Sequence, residues 1–176
     1  ARFKFKVGIN TFANNARWKT LFIVNKKEDD SLRERFDIGA TTREKDLFLS
    51  NFNRYQERII RSSYSIAFAG SQNLEFGIER AETILDSSLQ LGLLSGSGIA
   101  SQLFGGLPEV NNASATVEEL RDESFIIHNW QINNRMSFES TLILETSEIS
   151  QSGDVSKKRD FDFIRPKVDY RFDITP

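Results

Sequence analysis

The chain has 176 residues, of which 39% are hydrophobic and 27% charged, with a formal net charge of -2. That balance offers no basic surface for nucleic acid and no composition of a disordered tail, and the lack of cysteine excludes a disulfide framework and a thiolate zinc site. No run approaches the roughly eighteen apolar residues of a membrane helix, but a membrane-spanning strand needs only about 9 to 11 alternating ones. Fifteen Phe beside three Pro and one Met is a strand-forming palette. The start at Ala1 predicts a processed chain or a piece of a larger one.

Arg2 to Ile9 alternates Phe3, Phe5, Val7 and Ile9 with Arg2, Lys4, Lys6 and Gly8, the period of two of a strand with one apolar face. A short polar connection, 10–15, leads to a second apolar face of Trp18, Thr20, Phe22 and Val24. The charged stretch 26–45, with Glu28-Asp29-Asp30 and Arg33-Glu34-Arg35, reads as an exposed loop. A long strand follows over 46–69 and ends with Tyr64, Ile66 and Phe68 on one face. A tight turn at Gly70-Ser71-Gln72 leads to Leu74, Phe76 and Ile78 against Glu75, Gly77 and Glu79. The pattern slips at Arg80-Ala81, which predicts a bulge; a helix over 79–91 is the competing assignment.

The Gly-, Ser- and Asn-rich stretch 92–116 reads as a second long loop. A hairpin over 124–147 follows, turning at Asn133-Asn134. Ile126, His128, Trp130 and Ile132 share one face of its first arm; Met136, Phe138, Leu142 and Leu144 share one face of the second. A third loop, 151–158, precedes a last strand with Val168, Tyr170, Phe172 and Ile174 opposite Arg165, Lys167, Asp169, Arg171 and Asp173. Short and long connections alternate, and in every strand the clearest apolar face lies toward the short turn. A soluble sandwich has no reason to crowd apolar side chains at one end of each strand; a bilayer does, because only a band about 25 Å tall must be apolar.

The pattern predicts an all-β fold, an antiparallel up-and-down meander of about seven long strands forming part of a transmembrane β-barrel wall, with residues 1–176 a single segment. Phe3, Phe5, Val7, Trp18, Phe22, Val24, Tyr64, Ile66, Phe68, Leu74, Phe76, Ile78, Trp130, Phe138, Leu142, Leu144, Val168, Tyr170 and Phe172 are expected to face lipid. Lys4, Lys6, Glu75, Glu79, Arg135, Glu139, Arg165, Lys167 and Arg171 are expected to face a wet lumen, and Leu103, Phe104 and Leu107 to contact ligand from an external loop. Trp18, Tyr64, Trp130 and Tyr170 fall where an interfacial aromatic belt would lie.

Asn73-Leu74-Glu75-Phe76-Gly77-Ile78-Glu79-Arg80-Ala81, continuing to Ile84-Leu85-Asp86-Ser87, resembles a barrel strand of TonB-dependent outer-membrane receptors. So do Leu144-Glu145-Thr146-Ser147 with Ser152-Gly153-Asp154, and the strand 161–170 with Arg165-Pro166-Lys167. The resemblance covers about a third of the chain. It implies a receptor of the bacterial outer membrane that imports a scarce ligand such as a siderophore, without catalysis or cofactor. Its partners would be outer-membrane lipid, the rest of the barrel with a plug domain, and an inner-membrane energy-coupling protein. Seven strands cannot close a wall of the roughly 22 found in such transporters, and nothing in the chain resembles the plug, so a fragment of the wall is expected. Two rivals are a soluble all-β carrier holding an apolar ligand among its Phe, and a structural or adhesin-like surface sheet.

Catalytic constellations are sparse. His128 is the only histidine, so a His-based triad or a two-His metal site lacks its parts. Gly96-Ser97-Gly98-Ile99-Ala100-Ser101 lacks the last glycine of a dinucleotide fingerprint and reads as a flexible loop. Asp160 and Asp162 share a strand face about 6.6 Å apart by strand rise, and beside three basic residues they read as a solvated rim. Asp154, Asp160 and Asp162 lack EF-hand spacing for calcium, and Asn112-Ala113-Ser114 matches a glycosylation acceptor.

Overall fold

The computed structural model describes residues 2–13 and 15–174. Seven long strands form one antiparallel sheet: β1 (Arg2–Ala13), β2 (Ala16–Ile38), β3 (Arg43–Phe68), β4 (Gln72–Leu93), β6 (Leu107–Asn133), β7 (Met136–Gly153) and β8 (Lys157–Phe172). The two-residue β5 (Ala100–Ser101) pairs with the start of β6 and is followed by a 3-10 turn, Gln102–Phe104. Spatial order follows chain order, β1-β2-β3-β4-β6-β7-β8, so each strand pairs with its sequence neighbour. The chain is an all-β meander in one layer, and the sheet is open: among the described residues nothing pairs with the outer edges of β1 and β8.

Three hairpins turn at one end of the sheet. Of the first connection, 14–15, Asn14 lies outside the described residues. The second turns through Ala69 and Gly70, both at positive φ (49° and 68°), the backbone that twists with its flanking strands. The third turns through Asn134 and Arg135, one residue later than the sequence suggests, with the Asn133 side chain accepting from the Arg135 N–H at 2.9 Å. Arg135 therefore sits on the turn, not on the lumen-side strand face predicted for it.

At the opposite end the expected long loops are mostly strand. The stretch 26–45 is two strand arms joined by a turn at 39–42, and 151–158 shrinks to a break at 154–156. Of 92–116 only 94–99 and 102–106 lie outside strands. The charged arms pair across the ladder: Arg35 with Asp46 at 2.7 Å, Lys45 with Glu34 at 2.5 Å and Arg54 with Glu28 at 2.9 Å. An arm wetted on both faces has no reason to alternate apolar and polar residues, so periodicity misses it. β6, at 27 residues, is about 90 Å long by strand rise, far more than a bilayer requires.

The segment 79–91 is strand throughout, not helix, and no bulge occurs at Arg80-Ala81. Register shifts lie instead between Arg35 and Phe36, Leu91 and Gly92, and Gln131 and Asn133.

Candidate functional site

Because ladder partners point to the same side, the register sorts every strand residue onto one of two faces. One cross-strand row reads Thr11, Trp18, Tyr64, Phe76, Ile126, Leu142 and Pro166. The next row toward the short turns carries Ile66, Leu74, His128, Ser140 and Val168, and the one after it Phe68, Gln72, Trp130, Phe138 and Tyr170. All nineteen residues expected to face lipid fall on this side, hereafter the outer face. Lys4, Lys6, Glu75, Glu79, Glu139, Arg165, Lys167 and Arg171 all fall on the other, the inner face.

Burial assigns the curvature. In a single layer with no second sheet packed on it, side chains are buried mainly by crowding one another, on the inside of the curve. Ala81, Phe125, Ser63, Ser65, Glu145 and Ser147 are buried, and every one lies on the inner face. The outer face leaves Phe3, Phe22, Phe76, Trp18 and Tyr170 between 41% and 58% exposed. Polar groups crowd inside and aromatic ones stand outside, the reverse of a water-soluble sheet protein.

The outer apolar band is bounded on both sides. On β2 the outer face runs from Trp18 to its first charge at Lys26; on β6 from Trp130 to Asp122; on β8 from Tyr170 to Asp162. Each of these intervals is eight residues, about 26 Å along the strand; from Tyr64 to Arg58 on β3 it is six, from Phe76 to Arg80 on β4 four and from Phe138 to Glu148 on β7 ten. Between β2 and β6 both edges slide by the same four residues of register. The aromatic edge makes that shift in one step, between β4 and β6: Trp18, Tyr64 and Phe76 share one row, and Trp130, Phe138 and Tyr170 share another, four residues nearer the short turns. Trp130, Phe138 and Tyr170 line the short-turn edge on β6–β8, as Trp18, Tyr64 and Phe76 do on β2–β4. Trp18 Nε1 donates to Ser62 Oγ at 2.8 Å, so its polar tip is satisfied within the sheet.

Ion pairs mark the other edge. On the outer face Arg80 pairs with Asp122 at 3.1 Å and Arg58 with Glu82 at 3.1 Å. The apparent slip at Arg80 is thus the end of the apolar band, not a change of register. Beyond it, hydrogen bonds from Lys26 and then Arg54 hold the Glu28 carboxyl below its usual range, and Glu148 raises Lys158.

The inner face carries a chain of charges across five strands. Arg61 on β3 meets Glu79 on β4 at 3.4 Å, and Glu79 meets Arg121 on β6 at 3.3 Å. Arg121 reaches Glu123 at 3.2 Å, Glu123 meets Arg165 on β8 at 3.0 Å, and Arg165 contacts Glu145 on β7. The Phe125 ring lies over Gly77, where an added Cβ would come within 2.6 Å of it, and the Arg61 guanidinium stacks 4.1 Å from the ring centroid. Sequence alternation placed Glu79, Glu145 and Arg165 on the polar faces of their strands but gave no sign of Arg61, Arg121 and Glu123, which only the register brings together.

At the distal end Phe104 and Leu107 are 3% and 5% exposed, so they anchor their loop, and only Leu103 of the three expected ligand contacts is open to solvent. An added Cβ on Gly105 would lie 2.4 Å from the Phe48 ring, a separation only glycine permits. His128 shares a hydrogen bond with Gln72 at 2.8 Å and stacks on Phe68, so it belongs to the outer face and not to a ligand set. Asp160 and Asp162 lie on the outer face beyond the band, and Asp154 accepts from the Ser114 N–H at 3.0 Å. Among the described residues no cluster of three metal-ligating side chains occurs, and no helix is long and apolar enough to cross a membrane. No protein-family model matches the chain, and no curated protein matches it.

Proposed function

We propose that this sheet is part of the wall of an outer-membrane β-barrel whose outer face meets lipid and whose inner face meets a water-filled lumen, serving ligand uptake as the receptors it resembles do. One observation carries the wall reading: the exposed outer face is apolar between aromatic residues toward the short turns and charges toward the other end, while the inner face beneath it is polar. On β2, β6 and β8 that stretch is eight residues, about 26 Å along the strand, close to the roughly 25 Å apolar band of outer-membrane barrels. Long arms beyond the band would carry ligand-contacting loops outside the cell, and uptake itself rests on the resemblance.

A soluble carrier holding its ligand among the phenylalanines is disfavoured, since Phe3, Phe5, Phe22, Phe76 and Phe172 stand on the exposed outer face. The test is extraction. The full-length protein should stay in the membrane pellet through carbonate washing and enter solution only with detergent. Release into buffer as a monodisperse monomer would overturn the wall.

A further inference from the structure

The inner face is unevenly charged. On β4, β6 and β7 it presents Glu75, Glu79, Glu119, Glu123, Glu139 and Glu145, with Arg121 the only basic residue among them. At the β1 edge it is wholly basic: Arg2, Lys4 and Lys6 on β1, then Arg17 and Lys19 on β2. All five are exposed, and none makes an ion pair among the described residues. The acid in register with Lys4 is Glu57, two strands away, and Asn25, the residue between them, donates to it at 2.5 Å. On β8 the comparable cations do find acids, Arg165 with Glu123 at 3.0 Å and Lys167 with Glu139 at 3.8 Å.

We infer that the free edge of β1 pairs with a strand that sets carboxylates opposite Lys4 and Lys6 on the inner face and apolar residues opposite Phe3, Phe5 and Val7 on the outer. This deepens the wall reading and rests on it, because a sheet edge in hydrocarbon must satisfy its backbone groups by pairing. The charges choose the partner. β8 cannot close onto β1: they are first and last of seven alternating strands and so run parallel, and the inner face of β8 is predominantly basic, with Arg159, Arg165, Lys167 and Arg171 beside a single acid, Asp169, that already pairs with Lys167. A second copy of this sheet offers only a β1 or a β8 edge, and either brings a predominantly basic inner face to Lys4 and Lys6, and like charges across a ladder destabilise it. What remains is an antiparallel strand with inward-facing Asp or Glu.

The experiment is zero-length carbodiimide coupling of the full-length protein in its membrane, followed by peptide mass spectrometry, with acylation by a water-soluble amine reagent in parallel. The expected result is an amide between Lys4 or Lys6 and a carboxylate outside the seven described strands, with both lysines protected from acylation. Freely acylated, uncoupled lysines would overturn the pairing, as would coupling to Glu57. The double variant Lys4→Glu/Lys6→Glu should lower the heat-resistant folded fraction about tenfold while Lys4→Arg/Lys6→Arg retains it; equal yields would also overturn it. Carbonate extraction of the same samples separates the two failures. Pelleted protein with free lysines defeats the edge pairing alone, and coupled protein that washes off defeats the wall alone.

Discussion

Two halves of β3 share one ladder and differ in surroundings. From Phe68 back to Ile60 its outer positions are Phe68, Ile66, Tyr64, Ser62 and Ile60; past Arg58 they are Gln56, Arg54, Phe52 and Ser50. Pairing to β2 and β4 continues through both halves without a break, so the backbone does not register the change. The side chains do: the outer positions are mostly apolar on one side of Arg58 and mostly polar on the other. The inner face changes less: it is polar near the short turns, where Ser63 and Ser65 lie, and polar again at Glu57.

The sharpest way to break the contrast is to place one charge in each half. Phe22→Arg lies midway between Trp18 and Lys26 on the outer face, and at mid-bilayer depth it should cost about 2 to 4 kcal/mol of folding stability in lipid vesicles, read by urea titration. Leu32→Arg, also on an exposed outer position but in the projecting half, should fall within about 0.5 kcal/mol of the parent, as solvent-exposed substitutions do. Equal costs at the two sites would remove the reason for treating the halves as different environments.

A smaller effect tests the inner face, where side chains crowd one another. An added Cβ at Gly77 would lie 2.4 Å from the Ser62 carbonyl and 2.6 Å from Phe125. Gly77→Ala should cost about 1 to 3 kcal/mol in the same titration, the range for overpacking, whereas Gly8→Ala meets nothing nearer than 3.8 Å and should cost under about 1 kcal/mol. Glu123→Gln should cost about 1 kcal/mol, because it removes the charge shared by Arg121 and Arg165, and solvent at both partly exposed arginines screens the loss.

How much of this was legible in the sequence depends on the half. Near the short turns one face is apolar and the other polar, so alternation at Phe3-to-Ile9 and Leu74-to-Ile78 named both strand and face, and each residue assigned to lipid lies on the outer side. In the projecting half both faces carry polar and charged residues, so 26–45 and 92–116 looked like loops although Glu28, Arg35, Asp46 and Thr116 are ladder residues or their cross-strand bonding partners. The Arg80-Ala81 slip was misread for the same reason, since the end of an apolar face and a change of register leave one mark on a periodic pattern. The inner charge chain was invisible because Arg61, Glu79, Arg121 and Arg165 are far apart in the chain and meet only through register.

The mildest test sharpens the comparison from the distal end, where Arg35 and Asp46 bridge β2 and β3 just before the turn at 39–42. The hydrogen bond from Arg35 holds the Asp46 carboxyl below its usual value, and the same bond raises Arg35. A carboxyl lowered in the folded state adds stability that is present above its unfolded value of about 4 and is lost as pH falls through the folded value. The local ladder, including the Gly39 N–H that donates to the Thr42 carbonyl, should therefore exchange its amides faster in acid than pH-corrected intrinsic rates require. Asp46→Asn should raise the corrected exchange at neutral pH to the acid level and flatten the dependence. The amides of 60–66 within the band should not respond in either protein. A response there would mean that the two halves open together, and the projecting arms could no longer be treated as an independent part of the sheet.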